Sequence, residues 1–111
     1  MNHESPPKNQ RLSNQELRQF RAIAHKLNPV VRVGGNGLSD GVLQEVNRAL
    51  DDHELVKIKI AVGDRELRDG VITKLCASTQ ADLVQRIGNT ATLLRRSINP
   101  DPKKSNLLRQ T

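Results

Sequence analysis

The chain has 111 residues with a formal net charge of +6, and its calculated isoelectric point is near 10.1. That length suits one domain with a modest core, and the charge favours an anionic partner, although half of it falls on the two ends of the chain. One cysteine excludes a disulfide framework or Cys-rich metal site within the chain, and a single aromatic residue, Phe20, excludes the base-stacking platforms of RNA-recognition motifs and OB-folds.

In chain order, residues 1–12 are polar, contain Pro6-Pro7 and read as a disordered tail. They lack the pattern of a signal peptide, no apolar run is long enough to span a bilayer, and a cytoplasmic location is expected. Ser13-Asn14-Gln15-Glu16 has capping-box spacing, and Leu17, Phe20, Ile23, Ala24 and Leu27 follow as the apolar stripe of a first helix. Its other face carries Arg18, Arg21 and Lys26, and Asn28-Pro29 stops it. Val30 to Val33 suits a short strand, interrupted by Arg32.

The stretch Gly34-Gly35-Asn36-Gly37-Leu38-Ser39 comes next, and the rest of the chain is organised around it. Its glycines allow positive φ and close approach of another molecule. Gly35 and Asn36 are expected at the tip, with Gly34 and Gly37 holding the special backbone angles. Ser39 is a good N-cap for a second helix with Val42, Leu43, Val46 and Leu50 on its apolar face. A glycine turn feeding a helix start places free N–H groups and the positive dipole end together, which suits an anion such as phosphate.

Leu55 to Val62 is the clearest strand. Val56, Ile58, Ile60 and Val62 point one way, and Leu55, Lys57, Lys59 and Ala61 the other. Gly63-Asp64 leads to a third helix with Leu67, Val71, Ile72 and Leu75 as its stripe and Cys76 as a core neighbour. Leu83–Ile87 and Thr90–Arg95 read as a hairpin turning at Gly88-Asn89. Everything from residue 97 reads as a flexible basic tail. The order is α-β-α-β-α-β-β, an α/β domain over 13–96. Two strand–helix–strand units give right-handed crossovers, and the hairpin adds one antiparallel strand. If both crossovers step the same way, their helices share one sheet face and Lys57 and Lys59 emerge on the other. The pattern leaves the position of the first helix open.

Ala24-His25 before Pro29-Val30-Val31, the glycine stretch, and His53-Glu54-Leu55-Val56-Lys57-Ile58-Lys59-Ile60 together resemble the CRM domain in its small bacterial, YhbY-like form. Asp64-Arg65-Glu66 and Gln85-Arg86-Ile87-Gly88 continue the match, which runs from about Leu12 to Arg96. The resemblance implies a two-layer fold like the C-terminal domain of bacterial translation initiation factor three. That fold has a four-stranded mixed sheet whose last strand is antiparallel to the others. It also implies RNA binding without catalysis, ribosomal RNA of large-subunit precursors as the partner, and a glycine loop at Gly34 to Gly37. Asn89 and Leu94 depart from the family, which often has a basic residue and an aromatic there.

The candidate RNA-binding set is therefore Gly34, Gly35, Asn36, Gly37, Leu38 and Ser39, with His25, Lys26, Arg32, Lys57, Lys59, Arg18 and Arg21. Each basic residue also has a plain reading as part of a solvated surface, and the glycine stretch as a bare connection. His25 also reads as a cap of its own helix, and His53 as a complement to the end of the second helix. Lys26 is expected near the glycine loop, since the intervening strand is short. The histidines, the cysteine and the carboxylates show no catalytic or metal-ligand spacing, so no enzyme, metal or small-molecule cofactor is expected, and the protein is expected to be a monomer. Two other classes stay open. Gly35-x-Gly37-x-x-x-Gly41 loosely matches a dinucleotide-binding fingerprint, although Asp40 repels a pyrophosphate. A protein-interaction module with an acidic partner is the other.

Overall fold

The computed structural model describes residues 12–109; the proposed N-terminal tail, apart from Leu12, and the last two residues lie outside that range. The chain runs α1 (Asn14–Ala24), β1 (Pro29–Val33), α2 (Asp40–His53), β2 (Leu55–Ile60), α3 (Arg65–Thr79), β3 (Asp82–Ile87) and β4 (Thr90–Leu94). This is the expected order of elements.

The caps form where the sequence offers them. Ser13 N–H donates to Glu16 Oε1 and Glu16 N–H to Ser13 Oγ, both at 3.0 Å, a complete capping box. The hydrogen bond from Ser13 and the guanidinium of Arg96 hold the Glu16 carboxyl below the usual carboxylate range. Ser39 Oγ accepts from Val42 N–H at 3.1 Å, and Asp64 Oδ1 accepts from Leu67 N–H at 2.9 Å. Such caps each contribute about 1 kcal/mol.

The sheet order is β1-β2-β4-β3. β1 and β2 are parallel, while β4 lies between β2 and β3 and is antiparallel to both. The two crossovers step the same way, so α2 and α3 share one face. Between them and the sheet lies the main core, with Val33, Val46, Leu50, Ile58, Ile60, Leu75 and Leu93 fully buried. Each such side chain contributes about 1.5–3 kcal/mol by leaving water. Leu67, expected in the stripe of α3, is instead 59% exposed, because that stripe rotates toward Ile72, Leu75 and Cys76.

The opposite face answers where α1 goes. Phe20, Ile23 and Ala24 pack over Leu55, Val84 and Leu94. Leu55 belongs to the same face of β2 as Lys57 and Lys59, so α1 covers one end of that face and leaves the lysine end bare. Leu94 is 2% exposed beneath α1, so this position belongs to the core and not to the open face.

The C-terminal segment departs from the expected flexible tail. After β4, residues 97–109 turn back and dock. Ser97 N–H and Ser105 Oγ donate to the two oxygens of Glu54, each at 2.6 Å, and Asn106 Nδ2 donates to the Leu55 carbonyl at 2.7 Å. Ser105 is fully buried, and Leu107 packs against the α1 core. Low apolar content hid this, because polar bonds to the α2–β2 junction anchor the segment.

Candidate nucleic-acid interface

Five residues of β1 cover about 16 Å, enough to separate its two ends chemically. At the C-terminal end the chain enters the glycine turn. Gly37 N–H donates to the Gly34 carbonyl at 2.9 Å, which closes a four-residue turn with Gly35 and Asn36 exposed at its tip. Gly37 has φ +74°, a region L side chains rarely adopt. Gly34 has no positive φ, so the expectation that it holds a special angle is corrected. A Cβ at Gly34 or Gly35 would meet nothing within 4 Å. Neither backbone angles nor internal packing therefore demand glycine at those two positions. What a missing side chain provides there is access for something outside the chain.

Leu38 is half-buried against the main core and anchors the loop from inside, while Ser39 is occupied as the cap of α2. The first N–H groups of α2 lack intrahelical acceptors, as at every helix start. Asp40 already places a carboxylate in that first turn. An anion at this end is better served by the loop tip than by the helix dipole.

Beside the loop lies the bare part of the sheet. Arg32 pairs in register with Lys59, and Lys59 with Thr90; Lys57 pairs with Thr92, and Thr92 with Gln85. Arg32, Lys57 and Lys59 thus share one face across adjacent strands, and the two lysines are about 7 Å apart along β2. Lys57, Gln85, Ile87, Thr90 and Thr92 line a shallow depression on this face. Ile87 is 65% exposed there. Among the described residues none of Arg32, Lys57 and Lys59 has an ion-pair partner. Three other arginines are matched, Arg86 with Asp69, Arg95 with Asp51 and Arg96 with Glu16. Arg32, Lys57 and Lys59 are thus three unmatched cations on one face of the sheet.

The helix residues divide. Arg18 is exposed on α1. Arg21 turns toward the sheet, where its Nε donates to the Val84 carbonyl at 3.3 Å. His25 is exposed and caps α1 through its backbone N–H, which donates to the Arg21 carbonyl at 3.0 Å. Lys26 lies at the N-terminal end of β1, lining a groove with Val30 and Lys57. That corrects the expectation that it sits beside the glycine loop: the loop is at the other end of the strand. His53 is the basic residue of the last turn of α2, as expected, and it also donates from Nδ1 to the Lys104 carbonyl at 2.9 Å, since a carbonyl can only accept.

Gln85 and Thr90 were not candidates from sequence. Their alternation was visible, but only the hairpin's pairing with β2 puts them opposite the lysines. Arg95 was likewise unmarked; it bonds Asn47, Thr79 and Asp51 and ties β4 to α2 and the end of α3.

Comparisons with known proteins agree with this architecture. The sequence profile of the CRS1/YhbY (CRM) domain matches residues 12–95. A Pseudomonas aeruginosa protein named "probable RNA-binding protein" is 44% identical over 98 residues, covering 88% of this chain and 94% of that protein. A Haemophilus influenzae protein named "RNA-binding protein" is 45% identical over 86 residues, covering 78% of this chain and 87% of that one. The solution structure of a hypothetical Staphylococcus aureus protein superposes with a TM-score of 0.70 at 24% identity, covering 79% of this chain and 92% of that one, and shows the same fold.

Proposed function

The chain belongs to the CRS1/YhbY (CRM) domain family, and from that premise we propose that it binds RNA through the bare sheet face and the glycine turn, with ribosomal RNA of the assembling large subunit as its target. The RNA-binding part of this reading is supported by the names of its relatives. The observation that carries the surface is the cluster of Arg32, Lys57 and Lys59, unmatched by carboxylates among the described residues and bordered by a turn whose tip is open.

The chemistry follows from the residues present. Lysine and arginine side chains meet phosphate oxygens, and the Thr90 hydroxyl with the Gln85 amide suits 2′-hydroxyls. Lys59 and Arg32 lie nearest the glycine turn, where a backbone phosphate can approach Gly34 and Gly35 without meeting a Cβ. With no ring on this face, sequence readout by stacking is absent, so the RNA is recognised by shape and backbone. On this reading the protein acts by binding.

Crosslinking the protein to RNA in living cells, then sequencing what co-purifies, tests the target. Enrichment of large-subunit precursor RNA is expected. Recovery of a protein partner without RNA would return the basic face to the interaction-module reading.

A further inference from the structure

The docked C-terminal segment is built at a cost that a passive tail does not need. Glu54, where it attaches, has φ +64° and ψ −44°, a sparsely populated backbone region for a non-glycine residue. Its side chain is 97% buried, with both carboxylate oxygens committed to Ser97 and Ser105. Asn106 N–H adds a bond to the His53 carbonyl at 2.9 Å, and His53 Nδ1 holds the Lys104 carbonyl. Burying a carboxylate is expensive unless it is well bonded, so this junction fixes the segment in one place.

What that placement creates is a groove of about 290 Å³ between the end of α1, the start of β1 and the docked segment. Lys26, Lys57 and Arg109 supply three cations to its walls, His53 and Asn106 add polar groups, and among the described residues no carboxylate lines it. Lys57 also lines the depression on the sheet face, so the two concavities meet at one side chain.

We propose that this groove is a second RNA-backbone subsite, with the docked C-terminal segment as its wall and Glu54 as the latch that sets the wall in place. The subsite rests on the RNA-binding reading above. A strand crossing the sheet from the glycine turn passes Lys59 and Lys57 and continues between Lys26 and Arg109. The charge of the groove, three cations against no carboxylate among the described residues, fits a phosphodiester chain.

The test uses the full chain and ribosomal RNA extracted from bacterial large subunits, with affinity measured across a salt series. Lys26→Ala with Arg109→Ala is expected to lower affinity about tenfold near 100 mM salt, to make the log–log salt slope shallower by about 1.4, and to leave the melting curve in place. Ser105→Ala, which loosens the latch, is expected to make a further Arg109→Ala change nearly silent, since the arginine no longer faces the groove. Ultraviolet crosslinking of the unmutated protein, with the modified peptides mapped, reads the same point without any variant, and adducts are expected at Lys26 and within 105–109. Parent-like affinity and slope in the double variant, or crosslinks confined to the sheet and glycine turn, overturn the subsite and leave the main reading standing. Failure of the parent chain to bind this RNA at low salt overturns both.

Discussion

Lys57 and Lys59 stand out because their strand neighbours Val56, Ile58 and Ile60 are buried on the other side while the lysines have no carboxylate partner among the described residues. Lys57→Ala with Lys59→Ala should weaken RNA binding at least several-fold and move stability by no more than about 0.5 kcal/mol, which affinity and thermal melting together will show. Unchanged affinity would leave both as ordinary surface lysines. The glycine turn separates chemistry from architecture in the same way. Gly35→Asp with Asn36→Asp should fold normally, since no atom lies within 4 Å of a Cβ at Gly35, yet oppose a phosphate at close range. Gly37→Val should instead lower the melting temperature, because a β-branched residue tolerates φ +74° poorly. A double-aspartate protein that is folded and binds like the parent would reduce the turn to a connection. At this scale the sequence was legible where a local rule applied, as with the lysine alternation, the Ser13 and Ser39 caps and Gly37. It was not legible for Gly34, Arg21, Lys26 or Arg95. Their surroundings come from distant segments, and a basic side chain looks the same in sequence whether it faces solvent or a carbonyl.

Among the elements, α1 was the one whose position the sequence left open. An apolar stripe says that a helix packs but not which sheet face receives it, and the answer depended on Leu55, Val84 and Leu94 coming together from three strands. That choice matters for the site, because α1 fills one end of the lysine face and thereby sets how much of it stays open. Phe20→Ala should cost about 3–5 kcal/mol in denaturant unfolding through loss of its ring from this core. A cost below 1 kcal/mol would mean that α1 is not seated by Phe20. The C-terminal segment was misread for a related reason. Its anchors are Ser97, Ser105 and Asn106, polar residues whose partners lie at Glu54 and Leu55, and composition cannot distinguish a polar segment that docks from one that does not. The crossovers and the hairpin, by contrast, followed from turn chemistry and strand alternation, and the order of the four strands agrees with them.

At the scale of the molecule, some arginines are matched by carboxylates and one cluster of cations, among the described residues, is not. Arg86 and Arg95 are paired with acidic residues near α2 and α3, whereas the opposite face exposes Arg32, Lys57 and Lys59 beside the glycine turn. A net charge of +6 alone would argue only for solubility; three unmatched cations clustered on one face beside the glycine turn argue for an anionic polymer. The family membership and the surface then point to the same partner from independent directions, one from relatives' names and one from unmatched cations. The most direct measurement is the salt dependence of affinity for large-subunit ribosomal RNA, taken for the parent and for Lys57→Ala with Lys59→Ala. Phosphate contacts release counterions, so parent affinity should fall about one to two powers of ten between 50 and 200 mM salt. The double variant should bind more weakly with a slope shallower by about 1.4, two phosphates' worth on a single strand. Parent binding indifferent to salt, or a variant with the parent's slope, would contradict the assignment of this face to the RNA backbone.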